Sequence, residues 1–414
     1  MFLWKGMINM NRSKINIGTY YLAPYAYSEE HVKELAECGI DMVVNMRHVP
    51  SVLDWFHQYG VGAIVTGILP GWFGGNGANA GTMSATNPIE KYDQAKELFE
   101  AHPAIWGIDT GDEPSSLDFE HYGKIFDSVK KNFKGYFPYL NIYPSYAVKG
   151  SNTPEEVDEQ LGTVDYASYI KAFCDNVKSD YICTDYYLYS ADIERLYETF
   201  LTVSKACIKE QRQMWTVLQV NSHKEDAWIN LEQLRFQANT ALAFGAEVIT
   251  WACYTAGWWF NHVLDKQGNK TQQYEKLKTV NKEIHALSDS YMKYKHIETK
   301  FLGDFSEEEL KKANAQPETT LETACFHDFK VAPGHKLLVG IRKDQESGKE
   351  ALMLCCADDP YGTSETVCQV SFRTEQEDIK AIGREDMCPL IVREDGVYTL
   401  EIRSNEGILL CCAV

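Results

Sequence analysis

The chain has 414 residues, of which 44% are hydrophobic and 24% charged, with a formal net charge of −19. That length holds one large core and a smaller second domain. Such an acidic surface repels phosphate backbones and anionic bilayers, which sets nucleic acid and membranes aside as partners, and no run is long and apolar enough to span a bilayer. The opening "MFLWKGMINMNRSK" is interrupted at Lys5 and lacks a secretory apolar core and a small-residue cleavage site. The 12 cysteines form no CxxC pairs, and the neighbours Cys355-Cys356 and Cys411-Cys412 point to opposite faces of strands. Unpaired thiols suit a reducing compartment, so a cytoplasmic location is expected.

Short apolar runs then alternate with amphipathic stretches. The first strand is read at 15–24 and the first helix at 28–39, capped by Ser28 and stopped by Gly39. Strands at 40–46 and 62–70 flank a helix at 51–60. A glycine-rich loop, 71–88, leads to a helix at 89–102. The fourth strand, 105–110, precedes a helix at 117–133. The fifth (136–144), sixth (181–189), seventh (214–220) and eighth (247–255) strands are each followed by a helical run. Eight strand–helix units within 15–295 predict an α/β fold, a (β/α)8 TIM barrel. Near-continuous apolar strands suit a parallel sheet buried on both faces. The rival, a doubly wound open sheet, would carry a glycine-rich turn after its first strand, and "TYYLAPYA" has none. Residues 296–320 are polar and acidic and read as a linker or lid segment. From 321 to 414 short strands and turn-prone segments predict a small all-β sandwich domain.

In a barrel, chemistry sits where strands end. The fourth strand ends in "IWGIDTGDEPSS" (105–116), with Asp109, Asp112 and Glu113 inside five positions. An extended chain would put Asp109 and Glu113 on one face and turn Asp112 away. Pro114 disfavours helical angles at Glu113, and Ser115 or Ser116 is placed to cap the next helix. Crowded carboxyls raise one another's pKa, as a proton donor near neutral pH requires. Negative charge at a helix N-terminus is the plainer explanation of the same pattern.

"HPAIWGIDTGDEPS", "YLNIYPSYA", "SDYICTDYYLY" and "ALAFGAEVITWACYTAGWW" together resemble TIM-barrel glycoside hydrolases of the broad clan that includes β-galactosidase-like and cellulase-like enzymes. The resemblance implies a fourth-strand general acid/base, which maps onto Glu113, and a nucleophilic Glu ending the seventh strand. That strand here carries Gln219, with Glu225 several residues later. Two partners for Glu113 stay open. Glu225 would act as nucleophile in a retaining enzyme, about 5–5.5 Å from the acid; Asp185, ending strand six, would serve an inverting one, about 6.5–9.5 Å away.

Aromatic and amide side chains gather at the same rim: Tyr20, Asn45, Trp72, Asn141, Tyr143, Tyr187, Gln219, Trp251, Tyr254 and Trp258. Aromatic faces stack on sugar C–H faces while amides and carboxylates, Asp109 and Asp112 among them, hold hydroxyls. The expected partner is therefore an oligosaccharide or glycoside, with no cofactor. Two alternatives remain at this point. One is a lyase or isomerase with Mg²⁺ on Asp109, Asp112 and Asp185. The other is a sugar-binding barrel without turnover.

Overall fold

The computed structural model describes residues 10–147, 160–384, 391–392 and 395–412. Most of the opening segment, and all but 391–392 of the strand expected at 388–394, lie outside the described residues.

Eight parallel strands form one sheet: β1 (Asn16–Tyr20), β2 (Met42–Arg47), β3 (Gly62–Thr66), β4 (Ile105–Asp112), β5 (Phe137–Asn141), β6 (Tyr181–Tyr186), β7 (Gln213–Gln219) and β8 (Ala246–Ala252). The ladder runs in chain order from β5 down to β1, then to β8, β7 and β6. It closes between β5 and β6, where Ile142 N–H donates to the Cys183 carbonyl at 2.9 Å. The helices α1 (Glu29–Glu37), α2 (Pro50–Tyr59), α3 (Met83–Thr86), α4 (Ile89–Ala95), α5 (Phe119–Asn132), α6 (Tyr166–Asn176), α7 (Ile193–Glu210), α8 (Leu231–Ala243) and α9 (Gln272–Tyr291) surround it. This is the predicted (β/α)8 barrel. Its interior is filled by large rings, including Trp106, Tyr139, Tyr181 and Trp215, the last two stacked at 4.0 Å. Along β7, Trp215 and Val217 point in while Met214 and Leu218 face the helices.

Local signals set most boundaries. Ser28 caps α1 by accepting from His31 N–H. The helix expected over 89–102 stops early, because the Phe99 ring is drawn onto Phe133 and Tyr136, at 5.2 and 5.1 Å.

The segment expected as a linker or lid is ordered into the second unit. Lys295–Gly303 is a strand, β9, that pairs with both Pro317–Glu318 (β10) and Lys336–Lys343 (β12). Its charge hid an alternation in which Phe301 faces the barrel and Leu302 the second core. A helix, α10 (Glu307–Ala313), opens on a Ser306–Glu309 capping box and packs on α7. The remaining strands are β11 (His327–Val331), β13 (Glu350–Cys356), β14 (Val367–Arg373), β15 (Ile379–Ile382), β16 (Ile391–Val392), β17 (Tyr398–Arg403) and β18 (Gly407–Cys412). They build a six-stranded sheet, β10-β9-β12-β13-β18-β15, facing a four-stranded one, β11-β14-β17-β16. The outer face of the larger sheet lies on α8 of the barrel. Cys355 and Cys411 accordingly belong to the barrel-side core, and Cys356 and Cys412 to the sandwich core. None of the 11 described cysteines is in a disulfide, and all are buried.

Candidate active site

The end of β4 is bent rather than extended. Gly111 has φ +137° and Glu113 φ +45°, and the β4–β5 register shifts between Asp109 and Asp112. The bend is clamped from both sides. Glu113 N–H donates to the Asn141 carbonyl at 2.9 Å, and Asp112 N–H to the Trp72 carbonyl at 3.0 Å. Gly74 N–H donates to the Asp112 carbonyl at 3.1 Å. A Cβ on Gly74 would lie 1.8 Å from the Glu113 carbonyl oxygen, so only glycine allows this approach. The bulge overturns the expectation that Asp112 turns away, because its extra residue returns that side chain to the group. Ser115 caps the next turn as expected, accepting from Leu117 N–H at 3.4 Å.

Asp112, Glu113 and Asp185 gather there, with Asp109 nearby. The Asn141 amide donates to Asp112 Oδ1 at 3.2 Å and to Asp185 Oδ1 at 2.8 Å. The Tyr146 hydroxyl donates to Asp185 Oδ2 at 3.1 Å, and the Glu113 carboxyl hydrogen-bonds Asp185 as well. Asp185 is fully buried, whereas Asp109, Asp112 and Glu113 are half-buried. Among the groups acting on these four, none is a Lys, Arg or His. Burial therefore goes unopposed by cations and raises every one. Asp109 is pushed up to about 6 by burial, against a hydrogen bond from Gly111 N–H at 3.1 Å. Asp112 rises to about 8, through burial and then the Asp185 charge. Glu113 is raised well above the usual range, through burial and then the charges of Asp185 and Asp112. Asp185 reaches about 6, burial being offset by its hydrogen bonds from Asn141, Tyr146 and Glu113. The hydrogen bond between them raises Glu113 and lowers Asp185, which favours the proton on Glu113 with Asp185 accepting it.

Rings line the same opening. Tyr20 hydrogen-bonds Asn45 and feels the Asp112 and Asp109 charges. Its ring meets Trp258 edge-on at 5.6 Å, and Trp258 meets Trp259 at 6.4 Å. Trp259 in turn contacts Tyr187 at 4.8 Å and His223 at 3.7 Å. Trp72 is half-buried in the loop that clamps Asp112.

No family model and no curated protein sequence matches this chain. Solved structures it is similar to include glycoside hydrolases. One is a putative α-L-fucosidase from Bacteroides thetaiotaomicron, 13% identical, with 68% of this chain and 98% of that one covered and a TM-score of 0.47. Another is the catalytic module of a family 98 glycoside hydrolase from Streptococcus pneumoniae, solved with the LewisY pentasaccharide. It is 9% identical, with 98% and 100% covered and a TM-score of 0.41. A third is an endoglucanase from Pseudomonas stutzeri, 14% identical, with 64% and 93% covered and a TM-score of 0.40.

Several expected site residues lie elsewhere. Trp251 points outward from β8, its indole N–H bonded to Asn281 of α9 at 2.9 Å. Tyr254 is fully buried among the helices, beside Cys38 and Tyr274. Tyr143, only 1% exposed, packs on Tyr169 and feels the Glu113 charge, while Tyr146 hydrogen-bonds the Asp185 carboxylate. Gln219 does face inward at the position of the clan's nucleophile, but its amide is consumed by Tyr189 N–H at 2.9 Å and the Asn221 carbonyl at 3.0 Å. Glu225 is exposed in the loop after β7 and is not among the charges that act on Glu113. The inverting spacing for Asp185 fails, since its carboxyl touches that of Glu113 and leaves no room for a water between them. Among the described residues, no three His, Cys, Asp or Glu side chains converge as a metal site, so the trio Asp109, Asp112 and Asp185 is not arranged to hold Mg²⁺.

Proposed function

We propose that this protein is a glycoside hydrolase whose general acid is Glu113. The observation that carries the reading is the half-buried Glu113 at the end of β4, its pKa raised by burial and by the Asp185 and Asp112 charges, beside a buried Asp185 within a ring-lined barrel mouth. In this scheme Glu113 gives its proton to the leaving glycosidic oxygen as the C–O bond breaks. Asp185, out of solvent's reach, is a positioning residue: it orients the Glu113 carboxyl and keeps its proton in place. The second catalytic role needs a carboxylate that is both accessible and ionised at neutral pH. Asp109 meets both conditions, so it takes the proton of the water that bonds to the anomeric carbon. The half-exposed aromatic rim supplies stacking faces for the sugar.

The test is release of 4-nitrophenol from a panel of 4-nitrophenyl glycosides, with and without EDTA. The reading expects EDTA-insensitive hydrolysis that falls by about 10²–10⁴-fold in Glu113→Gln. A metal requirement would support the lyase or isomerase reading instead, and sugar binding without turnover would support a binding protein.

A further inference from the structure

A second concavity opens at the same end of the barrel, beside the site just described. It has a volume of about 450 Å³ and lies between the loops after β6 and β7 and a loop of the sandwich domain. Three rings from three segments line it: Tyr189, Trp228 and Tyr361. Tyr189 and Tyr361 meet edge-on at 6.1 Å. Ser190, Ser222 and His223 supply hydroxyl and imidazole groups between the rings. Partial burial lowers the His223 pKa.

Tyr361 is not a core residue that happens to surface. It is 47% exposed, and the turn beneath it is fixed. The Asp359 carboxylate accepts from the backbone N–H groups of Tyr361, Thr363 and Ser364, at 3.2, 2.5 and 2.5 Å. The turn is also tied to the barrel. The Tyr189 hydroxyl donates to the Pro360 carbonyl at 2.8 Å, and the Asn230 amide to the Tyr361 carbonyl at 3.2 Å. An aromatic side chain is thus held in solvent, across a rigid junction, over a hollow of ligand size. The hollow is connected to the carboxylates. His223 on its wall contacts Trp259 at 3.7 Å, Trp259 contacts Tyr187 at 4.8 Å, and Tyr187 feels the charge of Asp185.

We infer that this cleft binds sugar units of the substrate remote from the scissile bond, with Tyr361 of the sandwich domain as one stacking face. The inference rests on the glycosidase reading for the meaning of "scissile". It makes the substrate an oligosaccharide chain rather than a simple glycoside, and it gives the second domain a part in recognition. Rings and hydroxyls, with one charge of each sign from Asp192 and Lys224, match a carbohydrate chain better than a purely apolar ligand.

The test uses the full chain carrying Glu113→Gln, so that bound glycans persist. It is applied to an array of short and long oligosaccharides, and those retained are titrated by calorimetry. Affinity should increase with chain length, and adding Tyr361→Ala or Trp228→Ala should weaken the longer ligands by about five- to tenfold. Tyr361 is exposed, so its truncation leaves no core void, and Trp228→Ala is an independent second variant. Unchanged affinity in both variants, or no glycan retained by the array, would overturn the inference. Release of 4-nitrophenol by the parent is read separately. Its absence alongside ring-dependent glycan binding would remove the hydrolase reading and leave this cleft standing; its presence with ring-independent binding would do the reverse.

Discussion

Asp112 shows how one side chain registers the cost of the site. Its carboxyl is raised from the usual range to about 8, first by burial and then by the Asp185 charge. A group whose folded pKa is raised contributes stability that is fully present below the unfolded carboxylate value and is lost as pH rises through the folded value. The window for Asp112 is therefore about pH 4 to 8. Asp112→Asn removes that loss, so urea midpoints should converge at pH 4 and separate at pH 8, with the variant more stable by about 2 kcal/mol after solvent screening. A constant gap across that range would contradict the assignment. At this scale Glu113 was legible because an acidic pair and a proline follow an apolar strand. Trp251 misled because its aromatic character was weighed and its strand parity was not: Val248 and Ala252 face in, so Trp251 faces out. Tyr254 and Tyr143 failed for a related reason, since no pattern separates a rim ring from one packed under a loop.

The loop between β3 and α4 and the end of β4 act as one element. Gly74 N–H and the Trp72 carbonyl hold both sides of Asp112, and the Gly74 backbone touches the Glu113 carbonyl. Gly74→Ala should push these strands apart and displace Glu113. The expected loss is about 10²-fold in kcat, the scale that follows a displacement of about 1 Å, with the overall unfolding midpoint little changed. A parent-like kcat would show that the clamp does not position the acid. The eight barrel strands, the helices between them and most of the sandwich strands were readable from periodicity and turn residues. The bulge was not, because nothing in "DTGDEP" announces that a non-glycine residue, Glu113, adopts positive φ. The strand Lys295–Gly303 was equally hidden, since its backbone pairing with Lys336–Lys343 is a long-range contact and charged residues punctuate it.

Over the whole molecule, barrel and sandwich are joined by packing, the larger sandwich sheet lying on α8. Gly340 of β12 sits against α8, where an added Cβ would fall 2.3 Å from the Ala243 carbonyl oxygen. Gly340→Ala should therefore separate the two units and destabilise the protein by about 1–3 kcal/mol, read as a lower calorimetric midpoint. An unchanged midpoint would mean that the contact is incidental. The same junction anchors the turn that carries Tyr361 toward the barrel mouth. At the centre of this arrangement is the claim that buried, unneutralised carboxylates keep a proton on Glu113 at neutral pH. Infrared difference spectroscopy of the parent against Glu113→Gln at pH 7 tests it most directly. A protonated carboxyl band present in the parent and lost in the variant is the expected result; a difference spectrum showing only an ionised carboxylate at that position would contradict it.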